Sequence, residues 1–99
     1  MKKEYILCSA IYYTTDKAEQ IVFRPINTDR GRVVCGYRHN VIINQYFDMT
    51  LKRTAQVPHI EGFLTSKNRF VNRGEAALIA HEAGQIDKPK RELFSEDLY

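Results

Sequence analysis

Two residues with anion-binding chemistry, Arg38 and His39, immediately precede an apolar stretch whose spacing predicts a helix. Free N–H groups and the helix dipole make a helix N-terminus favourable for an anion. A guanidinium beside such a site can hold a phosphate through two hydrogen bonds. The alternative is that Arg38 is a solvated surface charge and that His39 is a packed or capping residue.

A second group of candidate residues lies between residues 61 and 86, where the pattern predicts a β-hairpin followed by an amphipathic helix. Gly62–Thr65 and Arg69–Val71 are the two predicted strands, and the polar residues between them supply turn chemistry. Hydroxyl, amide and cationic side chains on one rim suit a phosphate or nucleotide, whereas the alternative is a solvated hairpin tip. The candidate ligand-binding residues of both groups are Arg38, His39, Thr65, Ser66, Asn68, Arg69 and Arg73.

The second helix has clear local signals at both ends. Asn72 is the predicted N-cap, Glu75 can complete a capping box, and the helix is expected to run to Ala83 and stop at Gly84. Arg73 in the first turn has the wrong sign for the helix dipole, which suggests that it holds an anion or an acidic partner.

Both helix starts follow a strand, so the two corners can lie at one edge of a small sheet. We therefore expect Arg38, His39, Arg69 and Arg73 to form one electropositive pocket, within a subunit or across a dimer interface.

The sequence patterns that could indicate a catalytic site are not specific. Cys35 and His39 are four residues apart, and His81 has no second histidine to complete a zinc-binding pattern. We expect a non-enzymatic protein without a cofactor or metal, although a catalytic role for these three residues stays open. Cys8 and Cys35 are predicted to be buried thiols rather than a disulfide or a metal site.

Size and composition indicate one domain, residues 1–99, in the cytoplasm. No apolar run is long enough to span a bilayer, and the N-terminus lacks the apolar region of a signal peptide. The net charge of +3 is compatible with an anionic ligand or nucleic acid, but no RNA-recognition signature supports the latter.

The predicted fold is α+β, a small antiparallel sheet with two main helices packed on one side and a docked C-terminal tail. Three strands, Tyr5–Tyr13, Gln20–Arg24 and Arg32–Gly36, are expected to form a meander. The first helix is predicted at Val41–Lys52 with Asn40 as its N-cap. The apolar tail from Leu93 to Tyr99 is expected to dock on the domain or on a second subunit, so we expect a homo-oligomer.

Long motifs in this chain resemble a family of small, mostly uncharacterised bacteriophage and prophage proteins. The resemblance rests on RH before an apolar helix, on GFLTSKNRFVNRGEAALIAHEAGQI, and on the terminal LFSEDLY, and it covers roughly residues 32–99. Asn68 replaces the turn glycine of the family pattern, Asn72 stands where aspartate is common, and Gly74 sits in the first helical turn.

The resemblance implies a phage-encoded accessory protein in the host bacterial cytoplasm, with no established reaction. By analogy, the ligand is a small anion such as a cyclic nucleotide or an ADP-ribose-type host defence signal, which the protein sequesters. The alternatives are a protein- or nucleic-acid-interaction module that inhibits a host factor and, third, a small phosphodiesterase-like enzyme.

Overall fold

The computed structural model describes residues 3–16, 25–28 and 30–98, and within them an antiparallel sheet carries two helices. The strands lie in the order β2-β1-β3-β4, and every neighbouring pair is antiparallel. The predicted α+β fold with two main helices is confirmed. The elements are β1 (Ile6–Tyr13), β2 (Arg32–Gly36), α1 (His39–Thr50), β3 (Ile60–Thr65), β4 (Phe70–Asn72) and α2 (Arg73–Glu82), with short 3₁₀ turns at Thr54–Gln56 and Ser95–Asp97.

Both helices pack on the same face of the sheet, and α1 covers its β1–β2 half. Ile42 and Tyr46 of α1 are buried against Ile11 and Tyr13, which alternate along β1 on that face. The rings of Tyr13 and Tyr46 are stacked with their centroids 3.6 Å apart. This half of the core is therefore built from large side chains.

In the other half of the core the helix contributes small residues, because α2 approaches the sheet through alanines. Its buried face packs on Phe63 and Val71, and the tail adds Leu93, which is fully buried. The tail thus docks on its own domain, as predicted; Tyr99 lies outside the described residues. The alanines concerned are Ala76, Ala77 and Ala80.

Two details of the first half differ from the prediction. β1 pairs directly with β2 on one side and with β3 on the other, while the predicted strand Gln20–Arg24 lies outside the described residues. Asn40 as N-cap is wrong, because α1 begins at His39 and its N-cap is Arg38. The start is set by burial of the His39 ring against β3, whereas Asn40 Oδ1 accepts only a local bond from the next backbone N–H.

The caps of α2 are confirmed. Asn72 Oδ1 accepts from the Glu75 N–H at 2.8 Å, and Glu75 Oε1 accepts from the Asn72 N–H at 3.1 Å. The helix ends at Glu82, one residue before the predicted end, and Gly84 has a φ of 76°. This left-handed residue closes the helix in the usual way.

Neither helix in the described part of the chain is long and apolar enough to cross a membrane.

Candidate anion-binding site

Arg73, the first residue of α2, links three parts of the fold. Its Nη2 donates to Glu61 Oε1 of β3 at 2.8 Å, and its Nη1 donates to the carbonyl oxygen of Leu93 at 3.0 Å. The guanidinium also lies 4.7 Å from the ring centroid of Phe94. The cation at this helix start is therefore compensated by a carboxylate of the same chain, which removes the conflict with the helix dipole.

The two helix starts do lie at the same edge of the sheet. Arg38, His39 and Arg73 line one cavity of about 310 Å³, the corner cavity, together with Phe94 and Glu96. Glu96 Oε1 is 3.7 Å from Arg38 Nη1. Since Glu61 also pairs with Arg73, two carboxylates accompany the two arginines of this corner.

His39 stabilises the fold and does not provide a positive charge for a ligand. It is buried, and its Nε2 donates to the carbonyl oxygen of Gly62 at 2.8 Å, which assigns the proton to Nε2 because a carbonyl can only accept. Burial lowers the pKa of His39, and the nearby Arg73 lowers it further. His39 is thus neutral at pH 7 and fixes the start of α1 to β3.

The hairpin residues form a separate group, the hairpin cluster, organised around Glu4. Arg69 donates through Nε and Nη2 to the two carboxylate oxygens of Glu4, both at 2.9 Å, and Thr65 Oγ1 donates at 2.6 Å. The bond from Arg69 is the main cause that lowers the pKa of Glu4 to about 2. Ser66 Oγ accepts from the backbone N–H of Tyr5. These groups therefore bind the N-terminal segment of the chain.

Asn68 supplies the turn of this hairpin. Its φ of 58° is left-handed, a conformation that asparagine tolerates better than most residues, and its N–H donates to the carbonyl oxygen of Thr65. Arg69 and its hairpin neighbours do not line the corner cavity. The seven candidate residues thus fall into two groups, three at the corner and four at the hairpin.

A larger cavity of about 950 Å³, the α2 cavity, opens on the other side of Arg73. The tail reaches it because the Leu93 N–H donates to the Arg73 carbonyl oxygen. It includes Lys90 and Arg91, whose only signal in the sequence is the basic run KPKRE before the apolar tail. Lys90 Nζ donates to Asp97 Oδ1 at 2.6 Å. The lining residues are Glu61, Asn72, Arg73, Gly74, Lys90, Arg91, Glu92 and Phe94.

The candidate catalytic residues do not form a site. His39 bonds to β3, whereas Cys35 lies on β2 opposite Ala10 of β1, and His81 is exposed on α2. The prediction of buried thiols is wrong, since Cys8 is half-buried and Cys35 is exposed. The described residues hold no group of three or more histidine, cysteine and acidic side chains suited to a metal ion.

The fold is a small α+β domain with an arginine at the start of each of its two helices, and the sequence motifs resemble those of bacteriophage proteins. The chain matches the family model described as phage T4 y16D protein over residues 5–99, and it belongs to that family. The predicted relation to small phage proteins is confirmed at this level. No curated protein and no solved structure matches the chain.

Proposed function

We propose that this phage protein is a non-enzymatic accessory protein that binds an anionic, nucleotide-type ligand in the α2 cavity. The observation that carries the proposal is the position of three cationic side chains around one cavity at a helix N-terminus. They are Arg73, Lys90 and Arg91. A volume of about 950 Å³ is at the upper end of the range of small-molecule sites, so a nucleotide fits.

The helix start gives the cavity its preference for an anion. Arg73 is paired with Glu61 at 2.8 Å and Lys90 with Asp97 at 2.6 Å, and Glu92 lines the cavity together with Arg91, so the side-chain charges nearly balance. The positive end of the α2 dipole adds positive potential to this balanced set. Gly74, at the second position of the helix, lines the same cavity, and its N–H has no acceptor within the helix. A phosphate placed there would meet a backbone donor and guanidinium groups together.

Phe94 supplies a stacking surface beside this phosphate position. Its side chain is 42% exposed and already carries the guanidinium of Arg73 on its ring, with Lys90 Nζ 5.7 Å from the centroid. Aromatic rings next to cationic groups bind bases with little dependence on their identity. This arrangement favours a nucleotide over inorganic phosphate.

In the proposed role the protein works in the host bacterial cytoplasm and sequesters a defence signal of the cyclic-nucleotide or ADP-ribose type. Tight binding without turnover is sufficient for sequestration. Self-association of the chain stays a prediction, and sedimentation velocity checks it.

A thermal-shift screen of the full chain tests the proposal. The probes are 3′,5′-cyclic nucleotides, cyclic dinucleotides, ADP-ribose and inorganic phosphate. A ligand at 100 times its dissociation constant is expected to stabilise the native state by about 2.7 kcal/mol. Recovery of the ligand unchanged after incubation agrees with sequestration, whereas its hydrolysis would favour the phosphodiesterase alternative.

The matched variants are Arg91→Gln, which removes a charge from the α2 cavity, and Lys52→Gln, which removes one from the exposed segment after α1. We expect the first to weaken binding by about 1.5–3 kcal/mol and the second to leave it unchanged. No shift with any probe, or equal losses in both variants, would overturn the α2 site. Retention on DNA or RNA that falls steeply with salt would favour the nucleic-acid alternative.

A second candidate function, a protein-interaction module, is favoured by the outer side of α1. Ile43 and Phe47 are exposed and line a groove of about 730 Å³ between α1 and the segment around His59. Exposed apolar side chains around a groove are typical of interaction sites. The interaction module predicts that immobilised protein captures a host protein, that Phe47→Ser abolishes capture, and that Arg91→Gln preserves it. Equal capture by all variants would contradict it.

A further inference from the structure

Cys8 and Cys35 lie side by side on neighbouring strands, on the face of the sheet opposite the helices. Side chains alternate along β1, so Cys8 faces away from the side on which Ile11 is buried under α1. Ala10 is directly opposite Cys35, which makes Cys8 and Cys35 diagonal neighbours on one face. Cys8 is half-buried, and Cys35 is exposed to solvent-borne reagents.

We propose that Cys8 and Cys35 are a redox modification site, a dithiol that a peroxide oxidises to a reversible disulfide between β1 and β2. The sequence gives no hint of this pairing, because no CxxC spacing is present. The antiparallel register alone brings the two sulfur atoms together.

The two thiols complement each other in the reaction. The thiolate is the reactive form of cysteine. Either thiolate can meet the oxidant, and the neighbouring thiol then resolves the product.

The reaction balances with hydrogen peroxide as the oxidant. One thiolate attacks one peroxide oxygen, the O–O bond breaks, and the departing hydroxide takes up a proton to become water. The sulfur of the second cysteine then attacks this sulfenic acid, an S–S bond forms, and the S–O bond breaks. The leaving hydroxide takes the proton of the second thiol to become a second water. Each sulfur atom gives up one electron to peroxide in total.

The surrounding backbone can accommodate the bond. A disulfide requires the two Cα atoms to be about 4.4–6.8 Å apart, slightly less than a typical diagonal pair in a sheet. The register of β1 against β3 shifts between Ile6 and Cys8, and Gly36 follows Cys35 at the end of β2. β2 is also at one end of the described strand order, so it can move toward β1 without displacing another described strand.

The test treats the reduced full chain with one equivalent of hydrogen peroxide and measures intact mass and a non-reducing peptide map. The expected product is monomeric, lighter by two hydrogen atoms, with Cys8 and Cys35 peptides linked, and a thiol reductant restores the original mass. Full alkylation of both thiols after peroxide, a sulfinic acid as the main product, or an intermolecular dimer would each overturn the proposal.

Two serine variants test the resolving step. In Cys35→Ser and in Cys8→Ser the remaining cysteine has no partner thiol, so its sulfenic acid is expected to persist and to be trapped by dimedone in at least one of the two variants. No trapping in either variant would overturn the proposal. The wild-type chain unfolded in urea provides a comparison that needs no variant, since disulfide formation there is expected to be slower than in the folded protein. Equal rates of disulfide formation in the folded and the unfolded chain would show that the sheet does not bring the two thiols together, which would overturn the proposal.

Discussion

The hairpin cluster and the α2 cavity are both rich in polar and cationic groups, and they use their arginines differently. At the hairpin, Arg69 directs two hydrogen bonds to Glu4, whose side chain is only 15% exposed. At the start of α2, Arg73 holds Glu61 and Lys90 holds Asp97, while Arg91 lines the open cavity beside them. An arginine that lines an open cavity can meet a ligand, whereas one held by both oxygens of a shielded carboxylate stabilises the fold.

The ion pairs at the hairpin and at the corner cavity also differ in strength. The pair between Arg69 and Glu4 is bidentate and partly shielded, which is the strong form of this interaction. The pair between Arg38 and Glu96 is a single contact at 3.7 Å, and the Glu96 side chain is 71% exposed. Exposed pairs of this kind contribute little to stability. An incoming anion would therefore displace Glu96 from Arg38 more readily than it would displace Glu4 from Arg69.

The largest expected effect is at the tail that completes the α2 cavity. Leu93→Ala removes a fully buried side chain packed with Phe63 and Val71, so we expect a loss of about 2–5 kcal/mol in the free energy of unfolding. Urea denaturation measures it. The matched control is Leu78→Ala on α2, where the side chain is 67% exposed and the expected change is within about 0.5 kcal/mol. Similar small losses in both would mean that the tail does not hold the cavity together.

The next largest loss of stability is expected in the hairpin cluster. Glu4→Gln is expected to cost about 1.5–3 kcal/mol at pH 7, because the bonds from Arg69 and Thr65 are made to a charged carboxylate. Glu92→Gln, an exposed residue of the α2 cavity, is the control and is expected to change stability by no more than about 0.5 kcal/mol.

The pH dependence gives a second check on Glu4. Its pKa is lowered from 4.5 to about 2 in the folded protein, so folding favours the carboxylate. This stabilisation is fully present above the unfolded pKa and is lost as the pH falls from about 4.5 toward 2. The difference between wild type and Glu4→Gln should shrink across that window. A difference that stays constant would show that the loss comes from packing rather than from charge.

The smallest effects concern the helix start in the α2 cavity. Asn72→Ala removes the capping bond to Glu75 and is expected to cost about 1 kcal/mol. Gly74→Ala is the contrasting variant: its Cβ would lie 3.4 Å from Asn72 Oδ1 and 3.6 Å from the Arg91 carbonyl oxygen, both ordinary contacts. We expect it to stabilise by about 0.5–1 kcal/mol. Chemical denaturation measures both variants, and a stabilised Asn72→Ala would contradict the cap.

Features that depend on neighbouring residues were predictable from the sequence. The hairpin, the Asn72–Glu75 capping box and the left-handed Gly84 each rest on interactions within a few positions, and the structure contains all three. The α1 start was not predictable in this way. There, burial of His39 on β3 outweighed the local capping preference of Asn40.

The sequence by itself determined the secondary structure around α2, the α+β class and the relation to phage proteins, because local hydrogen bonding and long motifs encode them. Only the tertiary structure decided which cations face a cavity. Glu4 reaches Arg69 across 65 positions of the chain, and Lys90 and Arg91 reach α2 through the docked tail. The Cys8–Cys35 pair likewise follows from strand register. Charge compensation and thiol contact depend on distances in space, which packing sets and spacing along the chain does not reveal.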